Sequence, residues 1–165
     1  MIVVVFGLPG SGKSYFSSHL AEQMNAEYIS SDRLRMEMFQ VRTYTETEKL
    51  SVYDKMLLQL TDACRRKKDV VLDGTFYKAG IRNKFLSRLD GRILFIEVKA
   101  GESVIRERLS KPRPYSEAGF EVYEEIKGQW EPLAEEHLIL ESTDNNLDEM
   151  LSKAMAYIDS EHDER

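Results

Sequence analysis

The stretch VVFGLPGSGKSYF, from Val4 to Phe16, carries the end of an apolar run, three glycines, a lysine and a serine. The run that enters it, Ile2 to Phe6, is continuously apolar and β-branched, the pattern of a strand buried on both faces of a parallel sheet. Beyond it, Tyr15, Phe16, His19, Leu20 and Met24 recur at helical spacing. Glycine costs backbone entropy on folding, so three of them between a strand and a helix need a reason. Gly7-Leu-Pro-Gly-Ser-Gly-Lys-Ser14 fits G-x-x-x-x-G-K-[ST] in full. The glycines let the loop turn its N–H groups inward as an anion nest, and the following helix aims its positive end at the same spot. Lys13 can reach terminal phosphates, and Ser14 can place its hydroxyl on a magnesium ion. Gly7, Leu8, Pro9, Gly10, Ser11, Gly12, Lys13, Ser14 and Tyr15 are therefore the expected contacts of ATP, with Mg2+ beside Ser14.

The 165 residues suit a single domain over 1–165, and 42% hydrophobic with 32% charged residues is ordinary globular composition. A net charge of -6 argues against a protein that coats DNA or RNA, which needs a basic face. It leaves room for a nucleic-acid end in a locally basic cleft. One cysteine, Cys64, makes no internal disulfide, so a reducing compartment is expected. No apolar run approaches the roughly 18 residues of a membrane span, and no signal-type core follows Met1. The expectation is a cytoplasmic protein without a membrane partner, for which a monomer is compatible. His19, His137, His162 and Cys64 have no metal-ligand spacing.

Outward from the opening motif, the pattern predicts strands at 27–30, 70–73, 92–98 and 137–140. Helices are predicted at 32–39, 46–68, 79–89, 102–111, 116–130 and 147–158, followed by a charged, frayed tail at 159–165. Such alternation implies a mostly parallel sheet covered on both faces. The basic run Arg65-Arg-Lys-Lys68 is expected to cap its helix. No internal repeat or linker interrupts the chain.

A phosphate loop alone does not define an activity. The chain has no N-K-x-D segment of the kind that reads guanine, and it is short for a transporter or motor ATPase. A small phosphotransferase needs a carboxylate near an acceptor hydroxyl, an acid near metal or substrate, and a basic lid. Asp32, in Ser30-Ser-Asp-Arg-Leu-Arg35, follows the second strand and could accept the hydroxyl's proton; it also fits a helix cap. Arg35 lies three residues on, on the same helical face, where it could orient Asp32 or grip an anion. Asp73 ends the strand Val70–Asp73 and could hold a metal-bound water or the acceptor. Arg82 could face the acceptor or be a surface charge. Arg106, Arg108, Lys111 and Arg113 cluster before and between Pro112 and Pro114, which suits a lid over about 102–116; a solvated helix face with i,i+4 pairing fits too.

Together GLPGSGKS, ISSDRLR, VVLDGTF, RERLSKPR, SEAGFEVYEEIKGQWEP and LILEST make the chain resemble, over nearly its whole length, the small P-loop kinases related to polynucleotide 5′-kinase domains, seryl-tRNA kinase and zeta toxins. The resemblance implies an α/β, three-layer P-loop NTPase fold. Its parallel sheet has five strands in 2-3-1-4-5 order, with helices on both faces and a short helical lid. It implies Asp32 as general base and Arg35 on the acceptor, and its strand-end D-x-T motif falls on Asp73 and Thr75, both candidate acceptor contacts. Two positions depart from the pattern. Phe76 stands where many relatives have Asn, and Pro112 stands four residues after Arg108, so Arg113 or Lys111 takes the second lid role, with Arg113 preferred. The activity so implied is transfer of the γ-phosphate of Mg·ATP to a hydroxyl of a small molecule or of a nucleic-acid 5′ end, the basic Lys78–Arg92 stretch offering a path for a backbone. A nucleotide-dependent switch or slow ATPase is the alternative.

Overall fold

The computed structural model describes residues 1–89 and 91–163; the side chains of His162 and Asp163 and all of 164–165 lie outside the described residues. Its elements are β1 (Ile2–Phe6), α1 (Lys13–Met24), β2 (Glu27–Ser30), α2 (Ser31–Met38), α3 (Glu46–Arg65), β3 (Val70–Gly74), α4 (Ala79–Leu86), β4 (Ile93–Lys99), α5 (Glu102–Leu109), α6 (Phe120–Gly128), β5 (Leu138–Glu141) and α7 (Leu147–Asp163). All sheet pairings are parallel, and the order is β2-β3-β1-β4-β5. This is the P-loop NTPase fold that the sequence implied.

Alternation along the central strand explains both layers, because successive side chains leave a strand on opposite faces. Ile2, Val4 and Phe6 enter a core with Leu34, Met56, Leu60 and Phe85, under α2, α3 and α4. Val3 and Val5 point the other way, into Phe16, Leu20, Met150 and Ala154 of α1 and α7. No residue of β1 is exposed, which is why it reads as an unbroken apolar run.

The register places the chemistry. Val5 pairs with Asp73 and Ser30 pairs with the same residue, so three strands end level at one edge. The phosphate loop leaves β1 there, α2 begins there with Asp32 in its first turn, and Asp73 stands between them. Ligands of open parallel sheets bind at this carboxyl edge.

Several boundaries differ from the sequence pattern. α3 stops at Arg65 rather than Lys68 because Lys67 takes a left-handed turn, φ 54°. Arg66 pairs with Glu27 and Asp62, so this basic run serves cross-element ion pairs as well as the helix end. The break expected at 112–115 widens to a loop over 110–119, and Arg113 holds its turn through Ser116 Oγ and the Ala118 carbonyl. α7 continues to Asp163, past the expected end at Ile158, and Arg92 pins it through Glu161.

Candidate active site

The phosphate loop is shaped by two glycines for different reasons. Gly12 caps α1 at φ 91°, a left-handed conformation, and a Cβ there would sit 2.6 Å from Ser142 Oγ. Gly7 has an ordinary φ, but a Cβ on it would lie 2.3 Å from the Val98 carbonyl oxygen of the neighbouring strand. The loop tightens through the Ser11 N–H, which donates to the Leu8 carbonyl at 3.1 Å. Lys13 is 7% exposed and turned inward, whereas Tyr15 faces out and packs edge-on to His19.

Asp73 is buried beside this loop. Burial pushes its carboxyl up, while Lys13, a hydrogen bond from Tyr28 and the Ser14 hydroxyl pull the other way. The Tyr28 hydroxyl donates to Asp73 Oδ2 at 2.6 Å. Asp73 Oδ1 is buried with no hydrogen-bond partner among the described residues. A buried, unpartnered carboxylate oxygen beside a phosphate-loop serine is hard-cation chemistry, so Ser14 and Asp73 fit magnesium or its bound water.

Asp32 sits where sequence placed it. Ser30, not Asp32 or Ser31, caps α2, its Oγ accepting from Arg33 N at 3.4 Å, which leaves the Asp32 carboxylate free. Arg35 Nη1 donates to Asp32 Oδ1 at 3.0 Å. Arg35 Nε also lies 3.1 Å from Glu48 Oε1, an ion pair off the line of a hydrogen bond. Burial alone would raise Glu48, but the N–H and hydroxyl of Thr43 donate to its other oxygen and hold its carboxyl below the usual range. Arg35 thus orients Asp32 from a fixed, ion-paired position.

The lid arginines divide: Arg108 and Arg113 line the phosphate-loop cleft, and Arg106 does not. Arg108 Nη1 donates to the Gly10 carbonyl at 3.2 Å, and Nη2 reaches Ser142 Oγ and the Thr143 carbonyl at 3.2 and 3.1 Å. It spans the phosphate loop and the loop after β5. Arg113 Nη2 donates to Ser116 Oγ at 3.2 Å and to the Ala118 carbonyl at 2.5 Å. Burial holds the Arg113 guanidinium below its ordinary pKa, with Asp32 opposing. Arg106 instead lies over the Phe120 ring, and Lys111 pairs with Glu107. The lid loop is tied down by Arg33, whose guanidinium sits 4.9 Å from the Tyr28 ring and 4.6 Å from the Tyr115 ring.

Two cavities meet here. A cleft of about 540 Å³ runs from Gly12–Phe16 to Arg108, Arg113, Asp144 and Asn146. A pocket of about 40 Å³ lies between Pro9, Arg35, Tyr44, Lys49, Tyr53, Thr75 and Ile126. Lys13, Asp32, Arg113 and Ser116 line both.

One candidate is not brought to the cleft. Arg82 is buried and donates to the carbonyls of Phe76, Glu131 and Pro132 at 2.7, 2.8 and 3.3 Å. It lines neither cavity and is spent on the backbone; it holds the turn after Thr75, where Phe76 has φ 44°. Phe76 itself is fully buried against Tyr53 and Phe85, so it supplies packing where Asn would supply a polar contact. Three more basic residues of the Lys78–Arg92 stretch are engaged: Lys78 pairs with Glu46, Lys84 with Asp54 and Arg92 with Glu161. Sequence reasoning missed Tyr28, Glu48, Lys49 and the Ser142–Asp144 loop. Their partners are 34 to 45 residues away for Tyr28 and Ser142, beyond any local spacing signal.

Comparison with known proteins bears on the family and the fold. The model of the family AAA_33, described as an AAA domain, matches residues 2–133. A shikimate kinase of Vibrio campbellii is 25% identical over 150 residues, covering 81% of this chain and 81% of that protein. A shikimate kinase of Buchnera aphidicola is 25% identical over 127 residues, covering 68% of this chain and 66% of that one, just under two thirds of its length. The structure of a sugar kinase from Janibacter sp. superposes with a TM-score of 0.75 at 16% identity, covering 96% of this chain and 94% of that one. At that identity the likeness speaks for the fold alone. No helix among the described residues is long and apolar enough to cross a membrane.

Proposed function

Since the chain belongs to the AAA_33 family of AAA domains, we propose that it is an ATP-dependent kinase acting on a hydroxyl of a small molecule. One observation carries the proposal. Lys13, Asp32 and Arg113 form the wall shared by the phosphate-loop cleft and the small pocket behind it. A nucleotide with its phosphates on residues 7–14 would present its γ-phosphoryl group to that wall. An acceptor in the small pocket would meet it from the other side, in line with the bond to be broken.

In this scheme Asp32 accepts the hydroxyl proton as the hydroxyl oxygen bonds to the γ-phosphorus, and the bond to the ADP oxygen breaks. Arg35 holds Asp32 in place. Lys13 and Arg113 stabilise charge on the transferring group, and Arg108 closes over the loop from α5. Ser14 and Asp73 would hold magnesium directly or through water; the ion would supply charge neutralisation at the phosphates.

The two shikimate kinase relatives support a small acceptor. So do the pocket's small volume of about 40 Å³ and the ion pairs that occupy Lys78, Lys84 and Arg92. A switch would need neither this pocket nor a base in its wall. The test is Asp32→Asn, assayed for acceptor-dependent ADP release and for binding of a fluorescent ATP analogue. Turnover should fall by roughly 10²–10⁴-fold with nucleotide affinity kept. Normal turnover would remove Asp32 as the base.

A further inference from the structure

The small pocket carries an excess of positive charge that phosphate transfer does not use. Four cations line it, Lys13, Arg35, Lys49 and Arg113, against one carboxylate, Asp32. Lys13 and Arg113 also line the nucleotide cleft and serve the phosphates under the reading above. Arg35 is neutralised by Asp32 and Glu48. Lys49 remains. It projects from α3, lines only the small pocket, and is 7% exposed. Its ammonium has one carboxylate neighbour among the described residues, Glu46 at 3.5 Å, and that acid is shared with Lys78 and with the Tyr77 hydroxyl. Glu46 is itself more than half exposed, so water screens the pair. A lysine drawn this far out of water in the wall of a small pocket, with so weak a counter-charge, suits an anionic ligand.

We propose that Lys49 is an anion subsite, and that the acceptor is a small molecule carrying a carboxylate or phosphate next to the hydroxyl that Asp32 deprotonates. This rests on the kinase reading for the hydroxyl, but the anion subsite can be tested without it. The arrangement is chemically consistent: the anion anchors at Lys49, the hydroxyl meets Asp32 at the shared wall, and Tyr53, Val122 and Ile126 pack the carbon skeleton between them. A neutral acceptor would leave the Lys49 ammonium without its partner, which is how a site rejects an analogue lacking one polar group.

Two measurements decide it. In the first, the protein saturated with Mg·AMPPNP, which fills the phosphate-loop cleft, is melted against rising inorganic phosphate or acetate. Wild type should be stabilised in a saturable way, Lys49→Met should need roughly tenfold more anion, and Lys49→Arg should restore the response. In the second, phosphoryl transfer is compared across glycerate, glycerol 3-phosphate, glycerol and a 5′-hydroxyl oligonucleotide, with longer hydroxy acids and their amides beside them. Anions should be preferred by roughly tenfold or more, and Lys49→Met should raise the acceptor KM by a similar factor while the ATP KM stays unchanged. Glycerate against glycerol 3-phosphate separates a carboxylate from a phosphate. No saturable anion effect in wild type, an unchanged response in Lys49→Met, equal use of the neutral partners, or transfer to the oligonucleotide alone would each overturn the subsite. Saturable anion binding that depends on Lys49, with phosphate released only to water, would uphold the subsite and sink the kinase reading instead.

Discussion

Tyr28→Phe removes a hydroxyl that bonds Asp73 and lies 3.5 Å from the Ser14 carbonyl, and its loss should be felt mainly through Asp73. The substitution removes a hydroxyl that donates to Asp73 Oδ2 at 2.6 Å and keeps the ring on which Arg33 stacks at 4.9 Å. Asp73 Oδ1 already lacks a partner, so the variant leaves a buried carboxylate with neither oxygen bonded by a side chain of β2. A hydrogen bond to a charged group contributes about 1.5–3 kcal/mol. At about 2–4 °C per kcal/mol for a chain of this size, the melting temperature should fall by roughly 3–12 °C. The sign with pH follows from which form the bond favours. Tyr28 stabilises the ionised carboxylate, so the penalty is present above the raised pKa of Asp73 and shrinks as pH falls through it. The assay is thermal and urea unfolding followed by circular dichroism at several pH values, with and without Asp73→Ala in a double-mutant cycle. A loss below about 0.5 kcal/mol in mildly alkaline buffer, or an equal loss in the Asp73→Ala background, would refute the placement of this bond.

Three further outcomes follow from the same geometry. Arg82→Met should cost about 3 kcal/mol or more, because it strands three backbone carbonyls; if it instead raised an acceptor KM at unchanged stability, Arg82 would belong to the site after all. Gly12→Ala combines φ 91° with a 2.6 Å approach to Ser142 Oγ, so nucleotide affinity measured by calorimetry should drop by roughly tenfold or more. Wild-type affinity in that variant would mean that the loop is far more pliant than its packing suggests. Tyr115→Ala should loosen the lid loop by removing one face of the Arg33 stack, increasing its amide exchange without altering the exchange of β1; unchanged exchange at 110–119 would remove Arg33 as its anchor.

Local signals carried most of the fold. β1 is buried on both faces, and a run of Ile, Val and Phe states that without help from the rest of the chain. Strand ends were equally legible, since Asp32, Asp73 and the phosphate loop each follow an apolar run and the parallel register brings them level. What stayed hidden were long-range partnerships. Arg82 and Arg35 look alike in sequence, each a lone arginine on a helix after a strand-end acid. One is consumed by carbonyls near Pro132, the other held by Glu48 from the next helix. Lys49 lies in a charged helical stretch, Glu46 to Lys49, where an exposed face is the ordinary reading. Only the packing of α3 against α2 and the lid loop draws it inward. The loop at 110–119 was mistaken for helix ends because Arg113, not a local cap, sets its course.

The central claim is that phosphate leaves ATP for a small molecule's hydroxyl under the control of Asp32. It is tested most directly by following the label of γ-labelled ATP through wild type and Asp32→Asn in the presence of a panel of small hydroxy compounds. The account predicts label in one organic product with wild type and its near-complete loss with Asp32→Asn. Label appearing only as inorganic phosphate, at the same rate in both proteins, would contradict it.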